Sequence, residues 1–566
     1  MTIRRSLQLF ILILIIATGC NTTSSNKTRL VGVLGDSAMV VSAHPIATEV
    51  GLYILSTGGN AFDATVAIQL ALAVVYPRAG NIGGGGFSVI RNADGTIDAL
   101  DFREKAPLLA TETMFQDEAG NVITDLSTRG HLGAGVPGSI AGMWQLHQKY
   151  GALPWADLVQ PSINIASQGF RITQNEAEAL NEKQEDFKLA NHYKPWVIKE
   201  SGWRNGDFVS QPQLAATLSY IRDKGRDGFY SGVVAEQIVK EMSMGNGLIS
   251  LEDLVNYEAI WRAPLTGIYK GHKVISMPPP SSGGVALLQL IQGAETYNIG
   301  QYPHNSTKAV HVMAELERRV FADRSVYLGD PDFFDVPVAG LLDSAYNAKR
   351  FENIDLTIKT NSSTIKGGEV PYESTETTHF SIVDKYGNAV STTTTLNLNY
   401  GCKIWVKDAG FVLNNEMDDF SAKPGTPNFF GLVGGKANAI APSKRMLSSM
   451  TPTIVEKDGQ LKMVLGTPGG STIITSVFQT LLNVVDYDMT MQEAVRAKKV
   501  HHQWLPDQIK AENDALDQET IDGLKAMGHE LNFVDKIGRN DCILIREDGK
   551  LEGGADPRGD DAAMGY

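Results

Sequence analysis

Paired β-rich runs joined by short turns stand at both ends of this chain, with helical patterns filling the interval between them. Near the start, Gly83-Gly84-Gly85-Gly86 leads into Phe87-Ser88-Val89-Ile90, a turn at Asp94-Gly95, and the run Ile97 to Phe102. After residue 376 the pattern returns: Thr377 to Val383, a turn at Lys385-Tyr386-Gly387, and Ala389 to Leu396 with its four successive threonines. Two more hairpins follow, Thr453 to Val455 with Leu461 to Leu465 across Asp458-Gly459, and Cys542 to Ile545 with Leu551 across Asp548-Gly549. Turn residues between β-rich runs are the hairpin signal. Asn60 caps a helix expected over Ala61 to Val75, with Ala64, Ile68, Leu72 and Val75 on one face. Further helices are expected around Gln213 to Arg222, Ala309 to Tyr327, Ser471 to Val485 and Met491 to Lys499. Hairpins at both ends and helices between them predict an α/β (α+β) fold of stacked sheets covered by helices, an α/β/β/α sandwich. By length alone, 566 residues would suggest two to four domains. No repeat of solenoid period breaks the chain up.

The first residues form a separate object. Arg4 and Arg5 precede the apolar run Leu7 to Ile16, followed by Ala17-Thr18-Gly19-Cys20. The run is short for a membrane span of about 20 residues and suits an export signal. Small residues before a cysteine resemble a bacterial lipoprotein cleavage site, so residues 1–19 read as a signal peptide and Cys20 as the lipidated residue. Residues 20–28 then form a polar tether. The expected location is the periplasmic side of a bacterial membrane, lipid-anchored, with Asn21 compatible with outer-membrane sorting. A plain signal peptide would instead leave a soluble periplasmic protein. Cys402 and Cys542 are the other cysteines, and no Cys/His grouping has metal-ligand spacing. His501-His502 is an adjacent pair, a poor arrangement for two ligands of one ion. A net charge of −14 argues against nucleic acid as partner.

Thr377 opens a β-rich run directly after a polar stretch, Asn361 to Glu376, with little to bury. A threonine hydroxyl needs a base to act as a nucleophile. Its own α-amino group, with a reference pKa of about 7.7–8.0, is suited to that task once a cleavage exposes it. The hydroxyl can attack the preceding carbonyl, here that of Glu376, to give an ester that water opens. Local pattern alone leaves Thr377 as an ordinary strand residue.

The motif Glu376-Thr377-Thr378-His379-Phe380-Ser381 resembles the processing site of the γ-glutamyltransferases (γ-glutamyltranspeptidases), which are N-terminal-nucleophile hydrolases. The resemblance runs from about Val40 to Tyr566. It takes in Asp101-Phe102-Arg103-Glu104, Gly135-Val136-Pro137-Gly138 and Ala322-Asp323-Arg324-Ser325. It continues through Leu413 to Phe420, Leu447-Ser448-Ser449-Met450-Thr451-Pro452 and Gly466-Thr467-Pro468-Gly469-Gly470-Ser471. The resemblance implies self-cleavage into a large fragment, residues 29–376, and a small one, 377–566, that together build the sandwich as a heterodimer. It also implies roles for single residues. Arg103 takes the α-carboxylate of a γ-glutamyl group, helped by Ser448 and Ser449, while Asn397, Glu416 and Asp419 surround the α-ammonium. Gly469 and Gly470 match the oxyanion hole, and Thr395 matches a threonine that orients the nucleophile. Thr392 to Thr394 read as strand filler.

The implied activity is cleavage of the γ-glutamyl amide of glutathione and related compounds through an ester on Thr377. Water, amino acids or dipeptides are the acceptors, and no metal or organic cofactor is required. Pro427 to Asn438 matches a lid loop in which Phe430 stands where the family usually carries a tyrosine. The missing hydroxyl removes a hydrogen bond to Asn397 and implies a looser gate. A cephalosporin (glutaryl) acylase of the same fold is the alternative enzyme, and the intact ammonium-binding set argues against it. An uncleaved surface-binding lipoprotein is the non-enzyme alternative.

Overall fold

The expected hairpins pair into two seven-stranded antiparallel sheets. A computed structural model describes residues 29–365, 377–423 and 435–566. Cys20, Glu376, Phe430 and the export signal lie outside the described residues. The first sheet runs, in spatial order, Ala562–Gly565, Met39–Ser42, Thr378–Val383, Ala389–Thr395, Gly85–Arg91, Ile97–Asp101 and Ile260–Arg262. The second runs Val33–Gly35, Leu551–Gly554, Cys542–Ile545, Gln460–Leu465, Thr453–Lys457, His272–Ser276 and Leu265–Tyr269. Each sheet therefore takes strands from both sides of Thr377.

Side chains alternate across the strands with the two-residue period of the pleat. In the first sheet Val40, Ile90, Phe380, Ile382 and Val390 face one core, beneath a layer of helices. Met39, Val41, Phe87, Val89 and Ala389 face the other way, into a second core that they share with Ile454, Val455, Met463 and Val464 of the second sheet. The helices Gly283–Thr296, Thr307–Tyr327 and Thr472–Val485 cover the far side of the second sheet and share that second core. Helix, sheet, sheet and helix stack as the alternating pattern anticipates.

The helix Ala61–Val75 starts where Asn60 predicts. The Asn60 side chain accepts from the Phe62 and Asp63 N–H groups, and the Asp63 carboxylate accepts from the Asn60 N–H, a complete capping box. All of its residues are buried, not one face alone, because it lies between the first sheet and the helices Pro45–Ser56 and Trp155–Gln168. One helix is shorter than expected. Met491–Arg496 ends before Lys499, since the Lys499 ammonium takes the Val495 and Ala497 carbonyls and Arg558 takes them as well. The chain then continues as the short strand Val500–His501. Cys402 and Cys542 are both buried free thiols, so no disulfide joins them.

Phe87 sits between the sheets with no exposed surface. Phe87→Ala should cost about 3–5 kcal/mol of stability. Chemical denaturation should show a lower midpoint with an unchanged slope.

Candidate active site

Thr377 directly precedes the interior strand Thr378–Val383 and is 7% exposed. That strand pairs with Ala389–Thr395 in the register Thr378↔Thr394, Phe380↔Thr392 and Val383↔Ala389. One further step of this register sets Thr377 opposite Thr395. Both then share a face with His379, Ser381 and Ser391, which points into the space between the sheets. The Ser381 hydroxyl donates to the Asp541 carbonyl at 2.7 Å and the Ser391 hydroxyl to the Leu465 carbonyl at 2.9 Å, so hydroxyls rivet the two sheets together here. His379 bridges Thr393 Oγ1 and Ser381 Oγ, and burial pushes its pKa down to about 3, which keeps the imidazole neutral.

The end of the neighbouring strand is held with equal care. Thr395 Oγ1 accepts from the Asn397 N–H at 2.7 Å, and the Asn397 amide donates to the Asn415 carbonyl at 3.0 Å. Asn397 has a φ of 71°, an unusual conformation for a residue with a side chain, and it swings the chain out of the sheet so that Asn415 can pack beside it. Thr392 and Thr394, read as filler from the sequence, point to the opposite face and bond Ser88, Gln69, Asn81 and the Gly85 carbonyl. Asn81 is the hub there, accepting from Gly84 N–H and Ser139 Oγ and donating to the Thr395 carbonyl.

The loop that follows the strand Gln460–Leu465 lies against this face. A Cβ at Gly466 would stand 2.1 Å from the His379 ring, so only a glycine fits that approach. Gly469 and Gly470 have φ of 139° and 58°, and the helix Thr472–Val485 begins directly after. Their carbonyls are taken by Thr472 and Ile473, while among the described residues no acceptor takes the N–H of either glycine. Two unused N–H groups at the start of a helix form an anion-binding arrangement. The adjacent Ser471 donates to Gln503, and His501 bonds Gln503 and Thr475, which braces this turn. His501 and His502 therefore serve packing and hydrogen bonding, each with a pKa lowered by burial.

Arg103, Glu416 and Asp419 meet in a buried cluster, although more than 300 residues separate the first from the others. The Arg103 guanidinium binds both carboxylates, and it donates to the Met446 carbonyl at 3.3 Å and the Leu447 carbonyl at 3.0 Å. Glu104 lies 3.6 Å from the same guanidinium, with neither carboxyl oxygen hydrogen-bonded. One cation thus faces three acids. Burial raises the pKa of Glu104, Glu416 and Asp419, against the pull of Arg103, and that of Glu104 reaches about 7. Burial alone would lower the Arg103 pKa, but the acids outweigh it and raise it. Ser448 and Ser449 line the same region. Ser448 Oγ accepts from the Met450 N–H at 3.1 Å, and Ser449 Oγ accepts from Arg324 at 2.8 Å.

Three contributors went unassigned in the sequence. Glu104 sits inside a quoted motif but had no role there. Arg324 likewise belongs to a quoted motif, and Asn81 had no local signal at all. Among the described residues, His311, Glu315 and His529 bring metal-ligand atom types together. There the Glu315 carboxylate is already taken by Arg318, Arg319 and the Thr360 N–H, while the two imidazoles bond each other at 2.8 Å. Two guanidiniums on the only acid suit a structural ion pair better than a dication.

The family model described as Gamma-glutamyltranspeptidase matches residues 47–566. The glutathione hydrolase proenzyme of Escherichia coli (strain K12) is 46% identical over 533 residues, which is 93% of this chain and 92% of that protein. The crystal structure of γ-glutamyltranspeptidase from Helicobacter pylori shares 45% identity and covers 61% of this chain and 97% of its own, with a TM-score of 0.56. The crystal structure of a cephalosporin acylase from Bacillus halodurans covers 96% of this chain and 98% of its own with a TM-score of 0.82, and at 24% identity it bears on the fold alone.

The Glu104 carboxyl holds its proton to about pH 7 when folded, against 4.5 as an isolated side chain. Within that window the folded state binds more protons than the unfolded, so stability falls as pH rises. Glu104→Gln takes one of the three raised acids out of the titration and should shrink that decline. The thermal midpoint of the variant should therefore gain on the wild type as pH rises through the window; parallel profiles would show that Glu104 does not carry the proton.

Proposed function

The chain belongs to the γ-glutamyltranspeptidase family, and from that premise we propose that it is a self-processing γ-glutamyl-transferring hydrolase with Thr377 as nucleophile. The observation that carries this reading is the Arg103–Glu416–Asp419 cluster in a chain whose Thr377 heads a buried interior strand. A γ-glutamyl group brings one carboxylate and one ammonium on the same carbon. Entering this cluster, it replaces the contacts of Arg103 with Glu416 and Asp419 by one ion pair at each end of the ligand, without changing the net charge of the site. Arg103, with Ser448 and Ser449, takes the carboxylate; Glu416, Asp419 and Asn397 take the ammonium. A glutaryl group brings no ammonium and would leave the Glu416 and Asp419 carboxylates uncompensated, which disfavours an acylase specificity.

Catalysis follows from the freed terminus. The Thr377 hydroxyl gives its proton to its own α-amino group and attacks the γ-carbonyl, while Thr395 orients it. Negative charge on the carbonyl oxygen falls to the N–H groups of Gly469 and Gly470. Collapse of the tetrahedral species expels the amine, which takes the proton from the α-amino group. Water, an amino acid or a dipeptide then opens the γ-glutamyl ester. In maturation the Thr377 hydroxyl instead attacks the Glu376 carbonyl. The Thr377 nitrogen is there the leaving group, and it departs with the hydroxyl proton as the new α-amino group. Water then opens the Glu376 ester on Thr377 Oγ to free both ends. The resulting fragments, the larger with its fold over 29–376 and the tether 20–28 still attached, and the smaller 377–566, both contribute strands to each sheet, so they stay together as a heterodimer. Cys20 is the lipid attachment point, and the enzyme works on the periplasmic side of the membrane.

N-terminal sequencing of the smaller fragment should begin Thr-Thr-His-Phe, and Thr377→Ala should remain one full-length band on a denaturing gel; normal processing of that variant would contradict the mechanism. Arg103→Ala should lower kcat/KM for a γ-glutamyl anilide by about tenfold to a hundredfold, the loss of a charged hydrogen-bonded pair. Phe430→Tyr supplies a hydroxyl at the lid and should change the ratio of transfer to hydrolysis; an unchanged ratio removes Phe430 from the account.

A further inference from the structure

The groups assigned to the α-carboxylate come from opposite sides of Thr377, Arg103 from one and Ser448 with Ser449 from the other. The two backbone segments that carry them run side by side. Lys105 and Arg445 form an antiparallel bridge. The Ala106 N–H donates to the Lys444 carbonyl at 2.8 Å, and the Ser443 N–H donates to the Ala106 carbonyl at 3.0 Å. Asp101, the last residue of the strand Ile97–Asp101, has no exposed surface and meets both segments. Its Oδ1 accepts from the Arg103 N–H at 3.0 Å, and Arg445 Nε stands 3.3 Å from the same oxygen. Its Oδ2 accepts from Arg262 Nε at 2.7 Å. One carboxylate therefore holds the backbone of Arg103 and the side chain of Arg445.

Further bonds fix each segment. The Arg103 carbonyl accepts from the Tyr257 hydroxyl at 2.7 Å. Arg445, 2% exposed, donates its N–H to Asp330 Oδ2 at 2.8 Å and its guanidinium to the Glu258 carbonyl at 2.8 Å. Ser448 follows three residues later, its N–H on the Pro280 carbonyl at 3.0 Å and its carbonyl taking the Ser282 N–H at 2.7 Å. The bonds from Asp101 and Tyr257 use only the backbone of Arg103, so its guanidinium is left to the pocket. A buried ion pair is often no more stabilising than apolar packing of the same volume. What it supplies is a set distance, because guanidinium and carboxylate meet in few orientations.

We propose that the Asp101–Arg445 pair is a strut between the two halves of the site, which sets the spacing of Arg103 from Ser448 and Ser449 and so fixes the fit to the α-carboxylate of the donor. The inference rests on the γ-glutamyl reading above. A carboxylate presents two oxygens at a fixed separation, and its donors must converge on them to within about 0.5 Å. After cleavage the two segments belong to separate chains, so contacts such as this pair hold the spacing. Asp101 and Arg445 are positioning residues: they act through Arg103 and the two serines.

Asp101→Asn keeps the shape of the side chain and removes the charge that holds Arg445. Arg445→Lys keeps the charge and loses the fork that reaches both Asp101 and the Glu258 carbonyl; either variant carries the test if the other fails to mature. In the matured enzyme each should raise KM for a γ-glutamyl anilide by about fivefold to tenfold, with kcat within about twofold of wild type. Competitive inhibition gives the sharper readout. The inhibition constant of L-glutamate should rise by the same factor. That of γ-aminobutyrate, which keeps the amine and lacks the α-carboxylate, should stay within about twofold. Wild-type KM and inhibition constants in the variants would overturn the strut. A joint rise of both inhibition constants, or a loss of kcat alone, would also overturn it, by making the pair a general support of the fold. Arg103→Ala, assayed in parallel, separates this inference from its premise. An unchanged KM there would sink the carboxylate assignment itself, whereas a raised KM there beside unmoved strut variants would sink the strut alone.

Discussion

Everything in the site depends on one set of backbone hydrogen bonds, those that place Thr378–Val383 between Met39–Ser42 and Ala389–Thr395. The ladder fixes the residue just before the strand in position and in face. It sends Thr377 toward the gap between the sheets, beside the end of the strand that carries Thr395. It also brings His379 under Gly466, so the glycine turn of the second sheet is registered against the first. A shift of pairing by one residue would turn Thr377 to the opposite face and into the helical layer. The hydroxyl bonds of Ser381 and Ser391 across the sheets make such a slip costly.

The second constraint is charge. A guanidinium buried with three carboxyls is an expensive arrangement unless it is paired and hydrogen-bonded. Here the pairing is internal: the groups assigned to opposite ends of the ligand hold one another. A zwitterion fits such a cluster chemically, because it would supply one partner for each group it separates. Glu104 adds a third acid with no hydrogen bond of its own and makes the cluster a reservoir for a proton. The same pairing recurs at Glu315, Arg318 and the part-exposed Asp507, where charges hold the chain around Thr360 and Ser362.

Much of the fold could be read locally. Asn60 and Asp63 mark their helix because capping is a contact over three residues. The hairpins at Asp94-Gly95, Asp458-Gly459 and Asp548-Gly549 are written in their turn residues. The roles proposed for Thr377, for Gly469 and Gly470 and for the acid set were named from the family resemblance, since local pattern leaves Thr377 as any strand residue. What stayed hidden was long-range. That Arg103 is satisfied by Glu416 and Asp419, that Arg324 supports Ser449, and that Asn81 joins Thr394, Thr395 and Ser139 are contacts between distant segments with no periodic trace. The early end of the helix at Arg496 has the same origin, since Arg558 takes carbonyls that a longer helix would have used.

The central claim is that a γ-glutamyl group passes through an ester on Thr377. Mixing the matured protein with a γ-glutamyl donor, quenching in acid within the first turnover and mapping peptides by mass tests it directly. The account predicts the mass of one γ-glutamyl residue on the peptide that begins with Thr377, and on no other. Label on a different residue, or turnover with no labelled peptide, would contradict it.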